Sequence, residues 1–225
     1  MIRLNENETV LFQGDSITDG AHGRNNDPNH ILGHGFACSI CSRLGADNIE
    51  REPKFYNRGQ SGDGIAQMYA RWEQDALALR PTLINILIGV NDSCQFRPIT
   101  SENRGMPSDR FEAIYRSILD DTYAALPDVR FILCEPFYLP LPTTDETRLK
   151  KYPIVREEVA GYQAVTRKLA REYGCIFVPL QDLFETAAQR TSPEYLIWDS
   201  VHPTMVGHEF ITRRWFEVVE PLLGR

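Results

Sequence analysis

Apolar positions along the chain follow two alternating rhythms. Short runs at 10–12, 54–57, 83–88, 130–134 and 175–179 read as strands. The run Leu83-Ile84-Asn85-Ile86-Leu87-Ile88 is nearly all apolar, as a strand covered on both faces requires. Between these runs the spacing changes to three and four. Ile65, Met68, Tyr69, Trp72, Ala76 and Leu79 form one such set; Phe111, Ile114, Tyr115, Ile118, Leu119 and Tyr123 form another. Val159, Tyr162, Val165, Leu169 and Tyr173 form a third, and each set predicts an amphipathic helix. Asp63 and Ser108 are the expected N-caps, Gly174 is the expected C-cap, and Pro127 ends the middle helix. A last helix is expected over about residues 205–219, packed outside and stopping at Pro221.

Strands alternating with helices imply a parallel sheet with helices on both faces. Right-handed crossovers make an open doubly wound sheet the simplest topology. Five strands fit the flavodoxin-like order, in which ligands bind at the carboxyl ends near the reversal point. With no linker, repeat or low-complexity tract, one domain over residues 1–225 is expected. The connections 19–35, 93–107 and 138–153 are longer than usual, and connections of that length often form functional rims.

The 225 residues are 42% hydrophobic and 24% charged, an ordinary soluble composition. Net charge is −7, and the densest basic spots are the pairs Lys150-Lys151 and Arg213-Arg214. That balance disfavours nucleic acid or an anionic membrane as partner and fits a neutral substrate. No apolar run approaches membrane-span length, and residues 1–8 lack the apolar core of a signal peptide. An odd count of five cysteines (Cys38, Cys41, Cys94, Cys134 and Cys175) points to reduced thiols and a cytoplasmic setting. Cys38-Ser39-Ile40-Cys41 has redox-motif spacing but none of the usual surroundings.

Four stretches could carry chemistry. Gly14-Asp15-Ser16-Ile17-Thr18-Asp19-Gly20 follows the first strand, so Ser16 is either a nucleophile held at a strand exit or a helix cap, as Thr18 could also be. Asn57-Arg58-Gly59-Gln60-Ser61-Gly62-Asp63-Gly64 follows the second strand. It is either a plain turn or a source of backbone N–H groups for a developing negative charge. Gly59-Gln60-Ser61-Gly62-Asp63 fails the nucleophile-elbow pattern at its last position. Asn91, in Gly89-Val90-Asn91-Asp92, is either an Asx-turn residue or an amide donor facing the cleft. In Trp198-Asp199-Ser200-Val201-His202-Pro203, a carboxylate three residues before a histidine can fix its tautomer. Pro203 holds His202 in extended geometry; the alternative is a surface histidine beside a helix cap. His30 and His34 have the i, i+4 spacing of a metal pair but no catalytic Glu between them, and no metal is expected. His208, six residues after His202, belongs to the last helix.

In this order and spacing the four stretches resemble the blocks of the GDSL/SGNH hydrolases, over about residues 9–219. The resemblance implies a three-layer αβα sandwich with Ser16 as nucleophile, His202 as base and Asp199 orienting it. It implies an oxyanion hole made by the Ser16 and Gly59 backbone N–H groups and the Asn91 side chain. It implies no cofactor. Asp15 and Trp198 are candidate substrate contacts; Trp198 could equally lie at a subunit contact or in the core. Leu32-Gly33-His34-Gly35-Phe36, Ala70-Arg71-Trp72-Glu73-Gln74-Asp75 and Glu135-Pro136-Phe137 resemble the intracellular acetylxylan-esterase branch. That branch removes acetyl groups from xylo-oligosaccharides and is often oligomeric, so a homo-oligomer acting on a small-molecule or oligosaccharide ester is expected. Gly20-Ala21-His22-Gly23-Arg24 carries one residue more than the branch's usual pattern, beside the nucleophile.

Two other functions compete. A lysophospholipase or thioesterase would use the same residues on a longer acyl chain. A non-catalytic sugar- or nucleotide-binding module would need a phosphate cradle, but Gly14-Asp15-Ser16 puts an acid there and no Walker Lys follows.

Overall fold

The structure is a computed structural model and describes residues 1–25, 27–98 and 104–223. Among these residues the sheet has five parallel strands: β1 (Thr9–Gly14), β2 (Lys54–Asn57), β3 (Leu83–Leu87), β4 (Arg130–Cys134) and β5 (Ile176–Val178). Their order is β2-β1-β3-β4-β5, with Leu11 in register with Tyr56 on one side and Ile84 on the other. The order reverses between β1 and β3, so their carboxyl ends open a crevice.

The period-two alternation of strand side chains sorts two apolar clusters onto opposite faces of the sheet. Val10, Phe12, Leu83 and Leu87 pack with α2 (Phe36–Asp47), α7 (Gln181–Ala188), the short α8 (Pro193–Leu196) and α9 (Met205–Leu223). Leu11, Ile84 and Ile86 pack with α3 (Ile65–Ala70), α5 (Ser108–Ala125) and much of α6 (Glu146–Glu172). This is the three-layer α/β arrangement. Asn85 interrupts the apolar run of β3; its Oδ1 accepts from Trp215 Nε1 at 3.0 Å and from Cys134 Sγ at 3.3 Å, which offsets part of the cost of burying it, while its Nδ2 meets no partner among the described residues.

Several predicted boundaries move. The helix expected from Ile65 to Leu79 divides into α3, the short α4 (Trp72–Asp75) and a 3-10 turn at Leu77–Leu79. At the break, the Arg71 guanidinium donates to Gln13 Oε1, Arg58 O, Asp75 Oδ2 and Asp63 Oδ2, clamping the ends of β1 and β2. Asp63 is therefore not the cap; Gly64 is, with Gln67 accepting from its N–H. Pro107 replaces Ser108 as cap of α5, which ends at Ala125, before Pro127. Gly174 ends α6 in the left-handed conformation, at φ 68°. α6 begins at Glu146, capped by Asp145, so the expected 138–153 loop is half helix and Pro153 lies inside it. Pro221 lies within α9, which runs on to Leu223. The 93–107 connection lies partly outside the described residues. No described helix is long and apolar enough to cross a membrane, and all five cysteines are free.

Candidate active site

β1 ends at Gly14, and the chain turns at once into α1 (Ser16–Asp19). Asp15 caps that turn: its Oδ1 accepts from Ile17 N at 2.9 Å, which leaves Ser16 at the first helical position facing the crevice. Asp15 is only 1% exposed, and burial pushes its pKa up to about 7. Its carboxylate lies under the nucleophile turn rather than in the cleft, so the expected substrate contact by Asp15 is not available.

Ser16 Oγ lies 2.7 Å from His202 Nε2, across 186 residues of sequence. His202 Nδ1 lies 2.6 Å from Asp199 Oδ2, and Asp199 Oδ1 accepts from the N–H groups of Val201 and His202 at 3.0 and 2.7 Å. The hydrogen bond to Asp199 raises the His202 pKa, burial opposes it, and the charges of Asp199 and Asp15 add to the rise. For Asp199, burial alone would raise the pKa; hydrogen bonds from His202 and the backbone outweigh it and hold the carboxyl low.

The Asp199–His202 turn is tightly held. Trp198 N donates to His202 O at 3.1 Å, and Ile197 bridges Pro203. Between them Ser200 is buried at φ 80°, a conformation a β-carbon disfavours, with its Oγ accepting from Leu141 N at 3.2 Å. Trp198 is not in the core: it is 64% exposed and its ring stacks on that of His202, centroids 5.8 Å apart. The Phe96 ring lies 6.3 Å from His202.

A cleft of about 590 Å³ opens over Ser16 and His202, lined also by Gly62, Asn91, Phe96 and Met106. Asn91 Nδ2 donates to Asp63 O at 2.9 Å, which fixes the amide plane and leaves its second N–H for the cleft. Gly59 is placed elsewhere. Its N–H donates to Asn57 Oδ1 at 3.0 Å, and a β-carbon there would stand 2.4 Å from Asp19 N. Gly59 is a packing glycine behind the nucleophile turn, and the expected oxyanion contact from its N–H is corrected. Gly62 lines the cleft instead, at φ 88° with open space around it.

Sequence reasoning missed the residues that brace this loop. Asn57 Nδ2 donates to Thr18 O and Leu32 O at 2.7 and 3.0 Å, tying β2 to the nucleophile turn. Asp19 accepts from Ser61, and also from Arg24 Nη2 at 2.9 Å. Burial alone would raise the Asp19 pKa, but the hydrogen bonds from Arg24 and Ser61 hold it below the usual range. Asn57 and Asp19 stand at the ends of the 57–64 and 14–20 stretches, and polar side chains in runs bound for the interior were the available signal. His30 pairs with Asp27, and no described group of three His, Cys, Asp or Glu has metal-binding geometry. His208 is buried on α9, where Nδ1 accepts from Phe36 N at 3.2 Å and burial depresses its pKa to about 4.

A five-stranded parallel sheet with these side chains at the carboxyl ends of its strands is the framework of an α/β acyl hydrolase. The sequence pattern of the GDSL-like Lipase/Acylhydrolase family matches residues 12–210, and the chain belongs to that family as a carboxylic ester hydrolase. Among individual relatives, an acetylxylan esterase of Geobacillus stearothermophilus is 29% identical over 221 residues, 97% of this chain and 96% of that protein. A putative GDSL-like lipase of Parabacteroides merdae superposes with TM-score 0.84 at 34% identity, covering 96% of this chain and 97% of its own. Axe2, an acetylxylan esterase from Geobacillus stearothermophilus, superposes with TM-score 0.80 at 30% identity, covering 97% of this chain and 96% of its own. Axe2 has also been solved as catalytic mutants at a serine and at an aspartate.

Proposed function

We propose that the protein is a serine esterase that removes acetyl groups from an acetylated carbohydrate through an acyl-enzyme. The observation that carries this is the unbroken line Ser16 Oγ, His202 Nε2, His202 Nδ1, Asp199 Oδ2, with contacts of 2.7 and 2.6 Å. Ser16 attacks the ester carbonyl as His202 takes its proton. The tetrahedral oxyanion is met by the N–H groups of Ser16 and Gly62 and by the Asn91 amide. The intermediate collapses, and His202 gives its proton to the departing sugar oxygen. Water, deprotonated by His202, then attacks the acyl-Ser16 ester and releases acetate.

The acetyl-carbohydrate assignment is supported by the acetylxylan esterases among the relatives, each aligned with nearly the whole chain. A fluorophosphonate probe should label Ser16 stoichiometrically; no labelling would favour a non-catalytic binding module. kcat/KM for p-nitrophenyl acetate, butyrate and octanoate, then for an acetylated xylo-oligosaccharide, tests the acyl and sugar parts. Preference for octanoate would overturn the short-acyl reading in favour of a lysophospholipase or thioesterase. A homo-oligomer is part of the proposal, supported by exposed Tyr195, Trp198 and Met205 along one segment; a light-scattering mass of one chain would remove it. The free thiols support a cytoplasmic setting.

A further inference from the structure

A second cavity, of about 320 Å³, shares the Phe96 wall with the catalytic cleft. Asp199 and Ser200 line one part of it, and Arg148, Lys151 and Tyr152 of α6 line another. Two cations in one cavity stand out in a chain of net charge −7. Their neighbours on α6 are paired, Lys150 with Glu146 and Arg156 with Glu185. Among the described residues neither the Arg148 nor the Lys151 side chain forms an ion pair; the Arg148 backbone N–H donates to the capping Asp145 at 3.2 Å, and its guanidinium is exposed. The Lys151 ammonium donates to Gln95 O and to Arg97 O, the latter at 2.8 Å, and keeps a donor in reserve.

We propose that this cavity is a subsite for a carboxylate on the sugar side of the substrate, so that the enzyme favours acetyl esters of uronic-acid-bearing oligosaccharides over neutral ones. The inference rests on the esterase reading above. His202 must deliver its proton to the leaving sugar oxygen, so that sugar lies beside the His202 ring and against Phe96. The next unit of the oligosaccharide then passes the Phe96 ring into the second cavity. There the planar Arg148 guanidinium can take a carboxylate through two parallel hydrogen bonds. The subsite fits one negative charge. It holds one uncommitted guanidinium and one partly engaged ammonium, and Asp199 stands in its wall. Asp199 repels an anion weakly, because its charge is shared with His202 and two backbone N–H groups. The chain's overall negative charge is screened beyond about 8 Å and does not forbid such a substrate.

The test is a matched pair of monoacetylated disaccharides, one with glucuronic acid and one with glucose as the unit next to the acetylated sugar. The wild-type ratio of kcat/KM, acidic over neutral, should be about five or more and should shrink as NaCl rises. Arg148→Gln should bring the ratio close to parity, Arg148→Glu should invert it, and Arg148→Lys should keep most of it. Wild-type parity, or a ratio unmoved by Arg148→Gln, overturns the subsite. Hydrolysis of p-nitrophenyl acetate that depends on Ser16 separates the two failures: its absence sinks the esterase reading, whereas its presence with no acidic preference sinks the subsite alone.

Discussion

The backbone N–H and the hydroxyl of Ser61 both donate to a single oxygen, Asp19 Oδ2, at 3.0 and 2.8 Å. Asp19 closes the Ser16 turn and Ser61 immediately precedes Gly62, so one buried carboxylate sets the spacing between the proposed nucleophile turn and the Gly62 loop. Asp19→Asn keeps the shape and loses the charge. We expect kcat on p-nitrophenyl acetate to fall about tenfold with a smaller change in KM, the signature of a displaced donor rather than of weaker binding. A lowered Tm with kcat intact would assign Asp19 to folding only.

Removing the hydroxyl itself should be far more damaging. Ser16→Ala should lower kcat by roughly 10³-fold or more, leaving what binding and the amide donors provide. Turnover close to wild type in a Ser16→Ala preparation would refute the nucleophile assignment.

Asn91→Ala should cost about 10²–10³ in kcat, because the amide is held by Asp63 O before substrate arrives and needs no reorganisation in the transition state. Gly59→Ala should behave differently. The added β-carbon collides with backbone at Asp19, so the loss should register first in Tm. A Gly59→Ala protein of normal Tm and abolished kcat would return that glycine to the catalytic machinery.

The pH dependence follows from His202. Its folded pKa is raised above the ordinary 6.5, first by the hydrogen bond to Asp199. The reaction needs the neutral ring, so kcat/KM should fall as pH drops through a midpoint above 6.5. Asp199→Asn removes the charged acceptor and should move that midpoint down as well as slow the reaction. For stability the sign is opposite. Protonated His202 contributes fully below 6.5, and the contribution is lost as pH rises through the folded value. A pH profile flat on its acid side would exclude a histidine base.

Asp92 carries the reverse linkage to a salt-bridged acid. Its carboxylate is 3% exposed, accepts from Ile65 N at 3.0 Å, and is pushed up to about 7 by burial. The folded state therefore binds the proton more tightly, and stability declines as pH rises from the ordinary 3.8 to about 7. Asp92→Asn keeps an acceptor for Ile65 and removes the buried charge. It should be more stable than wild type by roughly 1–4 kcal/mol above neutral pH, with the advantage fading toward acid. Urea titrations at pH 4.5 and 8 would measure it; an equal effect at both would contradict the buried-charge account.

The sheet was legible because β3 and β1 are buried on both faces and write themselves as apolar runs. Their alternation with helices pointed to an open doubly wound sheet, and five strands fit the flavodoxin-like order that is observed. The helix break at Arg71 was not legible, because the apolar spacing carries on through it; what interrupts the helix is a guanidinium reaching polar groups distant in sequence. α6 extends back to Glu146 through Pro153, where a local rule stops it, because Val155 and Val159 anchor that stretch to the core. In the site, Ser16, Asn91 and the Asp199–His202 pair each allowed a chemical role and a plain structural one, and the resemblance of the four stretches to the GDSL/SGNH blocks chose between them. Gly59 was expected to supply the backbone donor, and nothing in the sequence separates it from Gly62. Both are glycines beside a strand end, and only three-dimensional placement shows which N–H is already engaged by Asn57.

The 186 residues between Ser16 and His202 have a consequence for biosynthesis. A ribosome adding residues at the usual pace exposes the hydroxyl roughly 10–40 s before it polymerises the imidazole. Throughout that interval the nascent polypeptide carries an unactivated alcohol, inert toward every ester in its surroundings. On the proposed mechanism, hydrolysis starts only once the Asp199–His202 turn has joined the Ser16 turn. Ester cleavage by a translating population is thus a clock for the finished molecule, blind to every truncated one.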